Sequence, residues 1–180
     1  ESNHFETLNN LFLEASGEVD SIIDLGCGAA EFGRIYKFFD YTGVDLPHVI
    51  NNTAKKKNPD LKYIEFNAYI DDYGFMKDTD LILMNAFISE LSKADEILEQ
   101  VLKIATKYVI IHRQKIEHFG KERVKYREYT GYLDERYTCA VLSENFLQSV
   151  IEQYGFKIIR RQHSSTPEEF SLLLKKKEVQ

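Results

Sequence analysis

At 180 residues, with 43% hydrophobic and 29% charged side chains, the chain has the size and make-up of one globular domain that folds without disulfides or a metal. Its 29 acidic and 23 basic residues give a net charge of −6, which argues against a uniformly basic nucleic-acid binder, and no DNA partner is expected. No apolar run reaches the roughly 18 residues of a membrane span, and residues 1–10 show neither the basic nor the apolar part of a signal peptide. Cys27 and Cys139 form no disulfide framework and no zinc spacing, so a reducing, cytoplasmic setting is expected. The first residue is Glu rather than Met, which leaves room for a longer parent chain.

In chain order, short apolar runs alternate with helical patterns. Residues 5–15 read as one helix ahead of the first strand, the core of an N-terminal helical segment over 1–17. Residues 19–25 (VDSIIDL) read as a buried strand running into Gly26, 31–39 as a helix, and 41–45 (YTGVD) as a short strand closing on an acid. A polar helical stretch then ends near Asn58 and Pro59. Residues 61–66 alternate as a strand, and 80–84 form another buried one. Apolar residues at Ala94, Ile97, Leu98, Val101, Leu102 and Ala105 have the spacing of an amphipathic helix with Ser92 as its N-cap. Residues 108–111 make the next strand, and after 112 the pattern gives way to a long polar, aromatic loop. A helix over 143–154 closed by Gly155, then strands at 156–160 and 170–174, complete the domain. The short gap between those last two strands, which holds Pro167, suits an antiparallel return. Alternation of this kind implies βαβ units around a parallel sheet.

The strongest motif is the run Asp24-Leu25-Gly26-Cys27-Gly28-Ala29-Ala30-Glu31, a buried strand passing through glycines into a helix. Gly26 allows a tight turn and Gly28 lets a ligand approach the backbone. Glu31 at the helix start would repel a pyrophosphate, whereas S-adenosylmethionine carries an ammonium and a sulfonium and tolerates nearby acids. Asp45, ending the second strand ahead of Leu46, can accept hydrogen bonds from a ribose diol. Asn67, followed by Ala68, ends the third strand, where a side-chain amide can meet an adenine amino group; turn chemistry is the plainer use of the same residue. Asp24 is expected to bond the backbone amides of the turn, and Cys27 to pack beside it as a small apolar residue.

On these residues, with Gly43-Val44-Asp45, residues 80–86 (DLILMNA) and Gly155-Phe156, the chain resembles the class I S-adenosylmethionine-dependent methyltransferases over roughly residues 19–175. The resemblance implies a Rossmann-like, seven-stranded, mostly parallel α/β sheet with an antiparallel last strand and helices on both faces. It also implies a cofactor site built from Asp24, Gly26, Cys27, Gly28, Asp45, Leu46, Asn67, Ala68 and Asn85. Three departures stand out: Ala30 where a third glycine is usual, Asn67 for a common Asp, and Glu90 where many members place a His. Many members also carry more than one helix before the first strand, so a preceding segment or a partner subunit would supply the missing cover.

Methyl transfer needs alignment of donor and acceptor, and a base where the acceptor is a hydroxyl. The strand ends nominate His112 as base and Arg113 as a clamp for a carboxylate or phosphate; burial of His112 in the sheet is the competing reading. Residues 113–127 hold six Lys/Arg against two Glu, a basic stretch suited to an anionic or sugar-related small molecule, or simply a solvated face. With Tyr126, Tyr129, Tyr132 and Tyr137, residues 113–142 suggest a substrate-side insertion or lid. No metal is expected, because Asn85 stands where metal-dependent members place acids. The expected activity is methyl transfer to a small-molecule acceptor, at oxygen. A protein or RNA methyltransferase and a non-catalytic cofactor-binding scaffold remain the alternatives, and oligomeric state is left open.

Overall fold

The computed structural model describes residues 4–130, 136–164 and 166–178. Strands β1 (Ser21–Leu25), β2 (Asp40–Asp45), β3 (Lys62–Glu65), β4 (Leu81–Asn85) and β5 (Tyr108–Glu117) lie parallel in the order β3-β2-β1-β4-β5. At the outer edge, β9 (Glu169–Lys176) runs antiparallel to β5 and to β8 (Phe156–His163), as the short gap before it suggests. This is the expected seven-stranded frame. Two further strands, β6 (Val124–Thr130) and β7 (Arg136–Ser143), bring the sheet to nine strands among the described residues.

Those two strands correct the reading of a loop after residue 112. β5 continues to Glu117, and β7 pairs parallel to it over Lys115, Ile116 and Glu117. Lys115 faces Glu169 of β9 on one side and Val141 of β7 on the other. So β7 takes over the edge that β4 leaves where Asn85 pairs His112. The alternation was hidden by a bulge: the β5–β9 register shifts between Ile111 and Gln114, and Arg113 sits at φ 61°. Tyr132 lies outside the described residues.

Successive side chains of the central strands enter opposite layers, and both are apolar. Leu81, Leu83, Tyr108 and Ile110 gather with Leu8, Leu11 and Phe12 of α1 (His4–Ala15). Ile82, Met84, Val109 and Ile111 gather with Ile97, Leu98 and Val101 of α5 (Ala94–Ile104) and with Leu147 and Val150 of α6 (Glu144–Gln153). Helix α2 (Glu31–Ile35) ends earlier than expected; the chain turns, and Tyr36 and Phe39 close around Phe12 at ring distances of 4.3 and 5.1 Å. Then α3 (Pro47–Val49), a π-wound turn (Ile50–Ala54) and α4 (Lys55–Lys57) run on as one helix. Ser92 does not cap α5. Its hydroxyl lies 3.1 Å from the Tyr69 hydroxyl, and helix entry falls at Lys93 with no side-chain cap. Asp80 ties the sheet's lower end, accepting from the backbone of Asp20 and Ser21 (2.9 and 3.2 Å) and from Lys107 Nζ (3.1 Å). Among the described residues no helix is long and apolar enough to cross a membrane.

Gly33 lets α2 lie directly on the Tyr41 ring of β2: a Cβ there would fall 2.3 Å from the ring. Gly33→Ala is expected to lower unfolding free energy by about 1–3 kcal/mol in urea titrations, the cost of overpacking. Gly17→Ala, where a Cβ would meet nothing within 4 Å, should change it by less than about 0.5 kcal/mol.

Candidate functional site

The carboxyl ends of β1, β2, β3 and β4 open onto one cavity of about 610 Å³. Seven residues nominated from the sequence line it together: Gly26, Gly28, Asp45, Leu46, Asn67, Ala68 and Asn85. A more open groove of about 500 Å³ adjoins it between residues 68–74 and α5, but it touches no end of β1, β2 or β4. The strand-end cavity is therefore the candidate site, in the position where parallel α/β sheets bind ligands.

The two glycines serve different needs. A Cβ on Gly26 (φ 77°) would come within 2.5 Å of the Phe87 ring, so this glycine lets Phe87 pack against the turn. A Cβ on Gly28 (φ 53°) would meet nothing within 4 Å, so the bare backbone here borders open space. Asp45 braces the turn: its Oδ2 accepts from Gly28 N (2.9 Å) and its Oδ1 from Leu46 N (2.7 Å). Ala30, the missing third glycine, has φ 58°, a left-handed conformation that costs a non-glycine residue about 1 kcal/mol or more. Ala86 at the cavity and Arg113 share this conformation, with φ 55° and 61°.

Asn67 Oδ1 accepts from Tyr69 N (3.0 Å), an Asx turn, so part of the acceptor expected to meet an adenine amino group is already used. Asn85 Oδ1 is buried and has no hydrogen-bond partner among the described residues, an acceptor in the wall of the cavity.

Four nominated residues do not line the cavity. Asp24 is buried and accepts from the Tyr41 hydroxyl (2.7 Å), not from the turn amides as expected. Burial pushes its carboxyl up to about 7; the Tyr41 hydrogen bond opposes this and the Asp45 carboxylate adds to it. Cys27 packs among apolar residues beneath the turn, and burial raises its thiol well above the usual range. His112 is 1% exposed within β5, its Nδ1 2.7 Å from Ser171 Oγ, so the expectation of a base facing an acceptor does not follow from its place. Arg113 is half-buried, its Nε 3.8 Å from Glu169 Oε2.

The basic stretch is also largely neutralised. Arg113, Lys115, Arg123, Lys125 and Arg127 each have a carboxylate within 4.0 Å: Glu169, Glu168, Asp95, Glu122 and Glu117. These pairs leave little net positive charge to draw in an anion.

Sequence reasoning missed Val49, Phe66, Tyr69, Phe87 and Leu91 as lining residues, and gave Glu90 no role. The signal for Glu90 was present: one acid within the otherwise uncharged run Phe87-Ile88-Ser89-Glu90-Leu91. Burial raises its carboxyl, Arg113 opposing and Asp45 adding to the rise. Among the described residues no group of three His, Cys, Asp or Glu is placed to hold a metal.

No family model and no curated protein matches the chain by sequence. Solved structures match its fold. CalS10, an amino pentose methyltransferase from Micromonospora echinaspora solved with S-adenosylmethionine, superposes with a TM-score of 0.71 at 9% identity, covering 98% of this chain and 92% of its own. Magnesium protoporphyrin IX methyltransferase (ChlM) from Synechocystis PCC 6803, with S-adenosylhomocysteine bound, gives 0.70 at 14% identity over 97% and 84%. The glycopeptide N-methyltransferase MtfA, with the same ligand, gives 0.67 at 10% identity over 97% and 89%. The fold is that of the class I S-adenosylmethionine-dependent methyltransferases.

Asp24 generates a pH prediction. Its carboxyl is protonated in both states below about pH 4; above about 7 it is charged in both, and burial then opposes the folded form. A group raised on folding contributes stability at low pH that is lost as pH climbs through the folded value. Asp24→Asn should therefore flatten the fall in urea midpoint between about pH 4 and 7, a contribution of at most about 4 kcal/mol.

Proposed function

We propose that this chain is an S-adenosylmethionine-dependent methyltransferase acting on a hydroxyl or amine of a small, sugar-related acceptor. The observation that carries the reading is the cavity itself: the carboxyl ends of four parallel strands converge there, with a ribose-competent carboxylate, an unpartnered buried acceptor and a bare glycine backbone. When bound, the cofactor supplies a methyl group on a positively charged sulfur. Asp45 would accept from the ribose hydroxyls while it braces the turn through Gly28 N. Leu46, Val49, Phe66 and Ala68 would enclose the adenine, with Asn67 at its edge. Asn85 Oδ1 would accept from the ammonium of the amino-acid part.

The acceptor side falls to the β6–β7 hairpin, the substrate-side element. β7 packs behind residues 88–90, and the Tyr126 hydroxyl donates to Ser92 O, fastening the hairpin to the α5 entry. Tyr129 and Tyr137 stack at 5.9 Å, with Lys115 Nζ 4.2 Å from the Tyr129 ring centre, a surface suited to a sugar ring. Pairing of the basic stretch favours a neutral or cationic acceptor over an anion. The sugar-directed neighbour and the glycopeptide-directed one support the acceptor class by analogy. Two free, buried cysteines suit a reducing setting.

Calorimetric titration with S-adenosylmethionine is the test. Micromolar binding is expected, weakened at least about ten-fold in Asp45→Ala, a loss of about 1.4 kcal/mol or more. No binding at millimolar ligand by the intact chain would overturn the reading.

A further inference from the structure

We propose that the Glu90 carboxylate is the counter-charge at the reacting end of the cavity, so that the site holds a positively charged sulfur there in preference to a neutral one. The inference rests on the cofactor reading above.

The cavity has a direction. Phe66, Asn67 and Ala68 line the end beyond β3, Asp45 stands at the middle beyond β2, and Phe87 and Glu90 line the end beyond β4. The glycine turn meets that same end, since Gly26 leaves just enough room for the Phe87 ring. With the adenine toward β3 and the ribose on Asp45, the sulfur falls toward β4. Among the described residues Asp45 and Glu90 are the two carboxylates of the lining, and Asp45 is engaged with the turn and assigned to the ribose.

Glu90 is held in place from behind. Its N–H donates to Phe87 O (3.2 Å), Ser89 Oγ donates to Ala86 O (2.8 Å), and Ile88 and Ser89 are buried. The charged and titratable groups that act on it are Arg113 from β5, Asp45 from β2 and Cys139 from β7. Arg113 acts on both Glu90 and Glu169, so its one charge is divided between two carboxylates. Although the residue is solvent-exposed in total, the packed wall around it disfavours the carboxylate, and an arriving cation relieves that cost.

S-adenosylmethionine and S-adenosylhomocysteine share the adenosine and the amino acid and differ at the sulfur, cationic in one and a neutral thioether in the other. The ratio of their affinities isolates the charge at that atom, because effects on Asp45 or Asn85 cancel. Calorimetric titration of the intact chain and of Glu90→Gln with both ligands, and with sinefungin, which carries an amine in place of the methylsulfonium, is the experiment. Glu90→Gln is expected to lower the preference for S-adenosylmethionine and sinefungin over S-adenosylhomocysteine by about five- to ten-fold. In the unmodified chain the preference should fall as pH is lowered through the range in which the Glu90 carboxyl takes up its proton, and that fall should be absent in Glu90→Gln. A pH series on the unmodified chain and on Asp24→Asn, which removes the other raised carboxyl near the turn, decides the matter even where Glu90→Gln fails to fold. A preference unchanged by the substitution, or unchanged with pH in the intact chain, overturns the inference while leaving the cofactor reading standing. Absence of binding by all three ligands overturns the cofactor reading itself, and this one with it.

Discussion

The structure depends on the burial of β1, β4 and β5 on both faces at once. Leu81 and Leu83 reach one helix layer while Ile82 and Met84 reach the other, and Tyr108–Ile111 repeat the division. Strands covered on both sides cannot present chemistry along their length, because each side chain is committed to a core. Polar groups are therefore driven to the strand ends, where Asp45, Asn67 and Asn85 meet across one cavity. One of the polar side chains buried within the sheet, Asp24, is tolerated through its hydrogen bond to the Tyr41 hydroxyl and its readiness to hold a proton.

Around the cavity, backbone conformation and charge work together. Gly26, Gly28, Ala30, Ala86 and Arg113 all take positive φ, and they cluster after β1, at the end of β4 and within β5. Such turns re-aim the chain where a regular strand or helix would close the site, and three of them are held without glycine. Charge is arranged with similar economy. The cations of 113–127 are matched by carboxylates from β9, α5 and β5, whereas Glu90 lies on the cavity wall. The cavity is thus acidic toward the end of β4, which suits a cationic ligand better than an anionic one.

The hairpin shows how one irregularity redirects a sheet. At His112–Arg113 the β5–β9 register slips, β4 ends, and β5 runs on to receive β7 on the edge β4 vacated. The result is a wall rising above the end of β4, stapled to α5 through Arg123 with Asp95 and Glu99 and through Tyr126 with Ser92. His112 lies at the base of this wall, buried against Ser171, with its backbone carbonyl accepting from Ala86 N (2.9 Å). Its side chain joins β5 to β9, and its carbonyl joins β5 to the turn at Ala86.

The sequence by itself determined the parallel frame and the glycine turn, because both are written in local terms: period-two apolar runs, amphipathic spacing in α5, and glycines between a strand and a helix. It also picked out Asp45, Asn67 and Asn85, since strand ends can be read from where apolar runs stop. Tertiary structure alone decided the rest. The bulge at Arg113 breaks the alternation, so β5 beyond 112, β6 and β7 looked like loop although they pair across the sheet. Whether His112 faced a ligand or a core depended on which neighbour β9 brought to it, and Ser171 is 59 residues away. Whether the basic stretch was free depended on carboxylates as distant as Asp95 and Glu169. Glu90 gained its place only when the end of β4 was folded against Gly26. Pairings of this kind are set by long-range packing, which leaves no period in the chain to read.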